Sequence, residues 1–265
     1  MATKAGSVVG RWRELWERPV RGGGPGRLEG CVEEESPPWD YEELVRHELG
    51  FAGSALDVGT GDGAFLASLE DALPVEMHAT EGWPPDLRLA RATLEPLGVH
   101  VREYDSECGG PLPYPDSSVD LVFARDEAYA AAEVARVLRP GGWFLTEQTE
   151  GHHLDDLAAL FGGGHAYPPV TLPALRREAE EAGLTVERLE GWHGRIRFAG
   201  VDALLAYLRR TPWQLPEDFC IERYADTLMG LHERDEPLVF TARRCLLIAN
   251  RPEPQPNSLD PFRHW

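Results

Sequence analysis

Asp57 and Asp62 bracket a run of alternating glycines, Asp57-Val58-Gly59-Thr60-Gly61-Asp62-Gly63, and this mixture of bare backbone and carboxylate limits what the loop can hold. Glycine has no Cβ, so backbone N–H groups can come close to a ligand, and a helix starting after the loop adds unpaired donors. A pyrophosphate cradle usually spaces its glycines G-x-G-x-x-G. Here the spacing is G-x-G-x-G, and two carboxylates would repel phosphate. They favour a ligand with a cationic amino-acid end and a sulfonium. The next apolar run, Val75 to Thr80, leads into Glu81, twenty residues beyond Gly61, where a carboxylate can accept from both hydroxyls of a ribose.

S-adenosylmethionine has this combination of charges and ribose. Further segments follow in a fixed order: Val99 to Tyr104 leading to Asp105-Ser106, Leu112-Pro113-Tyr114-Pro115-Asp116-Ser117-Ser118-Val119-Asp120-Leu121-Val122-Phe123, and Arg139-Pro140-Gly141-Gly142-Trp143-Phe144-Leu145. On these residues the chain resembles the class I S-adenosylmethionine-dependent methyltransferases over roughly residues 51 to 250. Within that family the insertion described below resembles small-molecule enzymes of the trans-aconitate methyltransferase kind. The resemblance implies a cofactor set of Asp57, Gly59, Thr60, Gly61, Gly63, Glu81, Gly82, Trp83, Asp105, Ser106 and Arg125. Asp105 and Ser106 would serve the adenine edge, although Cys108-Gly109-Gly110-Pro111 lengthens the stretch before Asp116 beyond the family's usual spacing.

Methyl transfer from a sulfonium is an in-line displacement, and much of its catalysis can be positioning in a dry pocket. A hydroxyl or amide acceptor would need a base, for which His152 and His153, just past the strand Trp143 to Thr149, are candidates; the alternative for each is a solvated loop position. Asp126 and Glu127 stand where the family contacts substrate or the methionine end of the cofactor, with Arg125 as a possible ion-pair partner for them. Arg195 and Arg197 alternate along an extended segment and so share one side of it, where their forks would suit an acidic small molecule or the protein's own carboxylates. Phe198, Trp213 and Tyr224 complete the candidate substrate set, with plain core as their alternative.

These residues need an α/β scaffold: a doubly wound, Rossmann-like, seven-stranded, mostly parallel sheet with right-handed crossovers. Residues 1–50 form an N-terminal extension, largely irregular apart from a short helix over 11–18, and a leading helix from Trp39 to Leu49. Residues 51–250 form the main domain, and 251–265 a mobile tail. Helices are expected over 64–69, 85–97, 127–138, 154–160 and 172–182, and a strand over 184–189. Val201, Leu204, Leu205 and Leu208, then Ile221, Tyr224, Leu228 and Leu231, fall at helical spacing and predict two amphipathic helices in a helical lid over residues 198–236.

The chain has 265 residues and a net charge of −19, which opposes nucleic-acid binding through phosphate contacts. Cys31 stands alone in the N-terminal region, against the cysteine-rich zinc module of the ribosomal RNA guanine methyltransferases that part of the chain also resembles. Ala124-Arg125-Asp126-Glu127 replaces the D-P-P-Y type motif of DNA amino-methyltransferases. No metal site is expected, and neither a secretory leader nor a membrane span, so the expectation is a cytoplasmic enzyme with a small-molecule partner and an oligomeric state left open. A regulatory protein that keeps the cofactor without catalysis remains the third reading.

Overall fold

The computed structural model describes residues 2–19, 30–163, 170–234 and 236–254. In chain order the elements are α1 (Ala2–Glu17), β1 (Val32–Glu34), α2 (Tyr41–Leu49), β2 (Ser54–Val58), α3 (Ala64–Ser68), β3 (Glu76–Glu81), α4 (Pro84–Leu94), β4 (His100–Glu103) and β5 (Val119–Arg125). They continue with α5 (Ala131–Val137), β6 (Leu138–Thr149), α6 (Asp155–Ala158), α7 (Leu172–Glu181), β7 (Thr185–Phe198), α8 (Val201–Leu208), α9 (Ala225–His232) and β8 (Leu238–Asn250).

One sheet runs β1-β7-β8-β6-β5-β2-β3-β4. β2 pairs in parallel with both β3 and β5, and the parallel set extends to β4 and β6. All five residues of β2 are buried, as helix-covered faces require. β8 enters antiparallel between β6 and β7. Seven of these strands are those expected; the eighth, β1, adds an antiparallel edge to β7 with Val32 opposite Phe198. Local chemistry fixes the entries: Asp40 caps α2 by accepting from the Glu43 N–H at 3.1 Å, and α4 starts on prolines that have no N–H to leave unpaired.

Four elements differ from expectation for identifiable reasons. α1 begins at Ala2 instead of near residue 11, and its Trp12 is fully buried and donates its indole N–H to Asp202 of α8 at 2.7 Å. α5 begins at Ala131 instead of Glu127, because Asp126 has φ +52° and its carboxylate accepts the Thr149 N–H at 2.7 Å, taking the chain out of helical geometry. β7 runs on to Phe198, well past residue 189. The second insertion helix starts at Ala225, leaving Ile221 and Tyr224 in the turn before it.

β6 ends its pairing with β8 at Thr149 opposite Arg244, so β7 and the first six residues of β8 project beyond the sheet by roughly 20 Å. Residues 198–236 sit at the tip of this ribbon. Their core joins Phe198, Leu204, Leu205, Tyr207, Leu208, Leu228 and Leu231 to Trp12 of α1 and to Leu154 and Phe161 after β6. Because β7 is parallel to the central strands, this insertion leaves the sheet on the side of their carboxyl ends, where ligands of doubly wound folds bind. The tail predicted to be mobile lies, from residue 255 on, outside the described residues.

Candidate functional site

The glycine loop connects β2 to α3 at the carboxyl ends of the parallel strands. Gly59, Gly61 and Gly63 take φ values of +73°, +62° and +81°, a region costly for residues with a Cβ. Around Gly61 a Cβ would meet nothing within 4 Å, so that face of the loop is open. A Cβ on Gly59 would overlap the Glu127 side chain, and one on Gly63 would press on Leu94. Gly82 is constrained differently: an added Cβ would lie 2.8 Å from the Cα of Asp105, so the bare backbone lets the ends of β3 and β4 draw together.

Glu81 spans this loop. Its Oε2 accepts the Gly61 N–H at 2.8 Å and its Oε1 the Trp83 N–H at 2.7 Å, while Thr60 N–H donates to the Thr80 carbonyl at 2.8 Å. Burial raises the Glu81 pKa, and these N–H groups work against the rise. Trp83 itself stands 63% exposed beside them.

Asp57 lies beneath the loop, 3% exposed, and its Oδ2 has no hydrogen-bond partner among the described residues. Burial pushes its pKa up to about 7; the Thr60 hydroxyl and Arg125 oppose this, and Glu127 and Glu81 add to it. Arg125 lies over the Phe65 ring, 4.1 Å from its centroid. Glu127 accepts from the Ser106 hydroxyl, and burial together with Glu81, Glu107 and Asp105 raises its pKa. Asp105 accepts the Glu107 N–H at 3.0 Å at the start of a short turn after β4. The predicted cofactor residues are thus gathered into one region, with Asp57, Glu81 and Glu127 electrostatically coupled.

Asp126 has a different environment from its chain neighbour. The Arg244 guanidinium donates to Asp126 Oδ2 at 2.7 Å, to Thr149 Oγ1 at 3.0 Å and to both oxygens of Glu34 at 3.0 and 3.2 Å. Burial works against the Asp126 charge, but Arg244 and Thr149 outweigh it and hold the pKa below the ordinary value. The ion-pair partner of Asp126 is therefore Arg244, not Arg125. Arg244 and Glu34 were missed in the sequence because neither belongs to a motif and they lie 118 and 92 residues from Asp126.

His153 is 3% exposed; its Nδ1 accepts the Arg243 N–H at 3.0 Å and its Nε2 lies 3.4 Å from the Tyr207 hydroxyl. Burial lowers its pKa. His152 is about half exposed, with Nδ1 3.0 Å from Asp155. Arg195 pairs with Glu35 at 2.9 Å, Phe198 is buried against Tyr207, and Tyr224 stacks on Phe219 while donating its hydroxyl to the Phe161 carbonyl. Trp213 is 43% exposed and Arg197 half-buried. A cavity of about 460 Å³ between His47, Phe51, Pro140 and Trp143 contains none of the predicted site residues.

Residues 56–146 match the family model described as a methyltransferase domain, which bears out the resemblance to the class I S-adenosylmethionine-dependent methyltransferases. No curated protein matches the chain in sequence. Among solved structures, YcgJ of Bacillus subtilis is similar with a TM-score of 0.59 and 18% identity over 81% of this chain and 99% of its own. The [4+2]-cyclase SpnF is similar with a TM-score of 0.52 and 15% identity over 91% of each chain. A geranyl diphosphate methyltransferase in complex with S-adenosylmethionine has a TM-score of 0.50 and 15% identity over 90% of this chain and 94% of its own. At these identities the likeness is one of fold, and the fold is that of the class I methyltransferases.

Proposed function

We propose that this protein is an S-adenosylmethionine-dependent methyltransferase acting on O or N of a small molecule held in an enclosed pocket. The observation that carries the reading is Asp57: a buried carboxylate with an unpartnered oxygen, beneath an open glycine loop and coupled to Glu81 and Glu127. A buried carboxylate with one oxygen unsatisfied is costly, and a cationic ligand would offset that cost. When bound, S-adenosylmethionine would supply a methyl group activated by attachment to a sulfonium. Asp57, Gly59, Thr60, Gly61 and Gly63 would hold its amino-acid end, Glu81 with Gly82 and Trp83 its ribose, and Asp105 with Ser106 its adenine. Arg125 would steady Asp57.

The chain's own contribution to the chemistry is orientation and exclusion of water. Residues 198–236, braced by α1, would act as the lid, with Trp213 and Arg197 its proposed contacts to the acceptor. His152, oriented by Asp155, is the histidine with access to solvent and the proposed base where the acceptor needs one. His153 has both ring nitrogens engaged and is proposed to hold the lid's base in place. Three exposed free cysteines accord with a reducing, cytoplasmic setting. No helix among the described residues is long and apolar enough to cross a membrane.

SpnF, a cyclase on a similar fold, keeps a second reading open, in which the cofactor site serves a reaction other than methyl transfer. Calorimetry with S-adenosylmethionine and its demethylated product tests the shared premise. The wild type should bind both, and Gly61→Val should lose binding while remaining folded, since its Cβ enters open space and only its φ is unfavourable. No heat and no thermal shift with either ligand would overturn the proposal. Methyl release from S-adenosylmethionine in the presence of acceptor then separates the two readings.

A further inference from the structure

We infer that Glu127 is the residue that distinguishes the sulfonium methyl donor from its thioether product. The inference rests on the cofactor reading above. The Glu127 side chain lies across the face of Gly59, whereas the face of Gly61 is open. The three coupled carboxylates are held in unequal ways. Asp57 is fixed within β2, and Glu81 is anchored by two main-chain N–H groups. The Glu127 carboxylate is held by the Ser106 hydroxyl, while its main-chain carbonyl accepts from Gln148 Nε2 at 3.0 Å. Its backbone is thus fastened and its carboxylate rests on another movable side chain. That makes it the member of the set able to follow a ligand's charge.

The groups facing Glu127 are mostly of its own sign: Asp57 from β2, Glu81 from β3, and Asp105 and Glu107 after β4. Arg125 of β5 is coupled to Asp57, and its guanidinium is placed over Phe65. A ligand with an ammonium and a sulfonium relieves this excess of negative charge. When the methyl leaves, the electron pair of the C–S bond stays on sulfur and the ligand loses one positive charge. The carboxylate that had turned toward that charge is then left facing its like-charged neighbours, so the product is held less tightly than the donor. Burial and those neighbours raise the Glu127 pKa, so a positive charge placed beside its carboxylate is favourable.

Titration calorimetry of the wild type and Glu127→Gln with S-adenosylmethionine and S-adenosylhomocysteine measures this preference; it is run at about pH 8, where Asp57, with its pKa of about 7, is mostly ionised in every variant. The wild type should prefer the donor. Glu127→Gln should lose roughly tenfold of that preference. Glu127→Asp, which keeps the charge, should retain most of it, and unfolding midpoints establish that each variant is folded. An unchanged donor-to-product ratio in Glu127→Gln would overturn this role for Glu127 and leave the cofactor reading intact. Failure of either ligand to bind the wild type would overturn both.

Discussion

Asp126 and Glu127 are adjacent in the chain, yet they belong to two charge clusters of opposite design. Around Asp126, one guanidinium from β8 satisfies two carboxylates and a hydroxyl drawn from β1, the residue just past β5 and the end of β6. Around Glu127, three carboxylates are coupled and Oδ2 of Asp57 has no partner among the described residues. The first cluster is complete within the chain and holds the projecting ribbon, β1 and the end of β6 together. The second is incomplete within the chain. A protein tolerates the instability of such a site where a ligand is to complete it.

The sharpest way to break this contrast is to remove the cation from the complete cluster. Arg244→Met should destabilise the protein by about 2–4 kcal/mol in urea unfolding, because Glu34 and Asp126 are left without their counter-charge and water screens them only in part, at 25% and 42% exposure. A loss under about 1 kcal/mol would mean that the cluster is solvated and contributes little.

Asp57→Asn should act in the opposite sense. The folded-state pKa of Asp57, raised to about 7, lies above its unfolded value, so its contribution to stability is present below the unfolded pKa and lost as pH rises through 7. The amide should therefore stabilise the protein by about 2–4 kcal/mol near pH 8, a gain that fades toward acid pH, while cofactor affinity falls. Thermal unfolding across that window is the measurement, and an unchanged pH profile would show that Asp57 is not buried as a charge.

Glu81→Ala should weaken S-adenosylmethionine binding by about 1.5–3 kcal/mol in calorimetry, through lost acceptance from the ribose. Wild-type affinity in that variant would place Glu81 outside the ribose site. The smallest expected effect belongs to the lid. Trp213→Ala should change cofactor affinity by less than about 0.5 kcal/mol while lowering turnover of the acceptor, because Trp213 is an exposed residue of the insertion and the cofactor is held by the loop and Glu81. A comparable loss of cofactor affinity would join the lid to the incomplete cluster.

The incomplete cluster was legible in the sequence because its parts are local. Glycines at positive φ and an acid at the end of the next strand are imposed by short-range geometry, and Asp57, Gly61 and Glu81 lie where that geometry implies. The complete cluster was not, since residues 34, 126, 149 and 244 meet only after the sheet has formed. α1 is longer than its sequence suggests for a related reason. Gly6 and Gly10 argue against a helix by propensity, and the burial of Trp12 against the insertion overrides them. Phe198 and Tyr224 have the composition of a ligand pocket, and packing uses them as core.

The projecting ribbon of β7 and β8 carries a hazard that its neighbours remove. Beyond Arg244, β8 has no strand on its β6 side among the described residues, and a bare edge of that kind is a template for pairing with other chains. Asp156 takes the Thr241 N–H at 2.9 Å and the His153 ring the Arg243 N–H at 3.0 Å, while the Leu154 N–H donates to the Thr241 carbonyl and the Glu150 N–H to that of Arg243. The segment after β6 thus imitates a strand partly with side chains, and β1 covers the opposite edge. Loss of His153 would then show first as self-association during expression or mild heating, before any defect in catalysis, because it unmasks a β-edge on a protein whose charge otherwise keeps its copies apart.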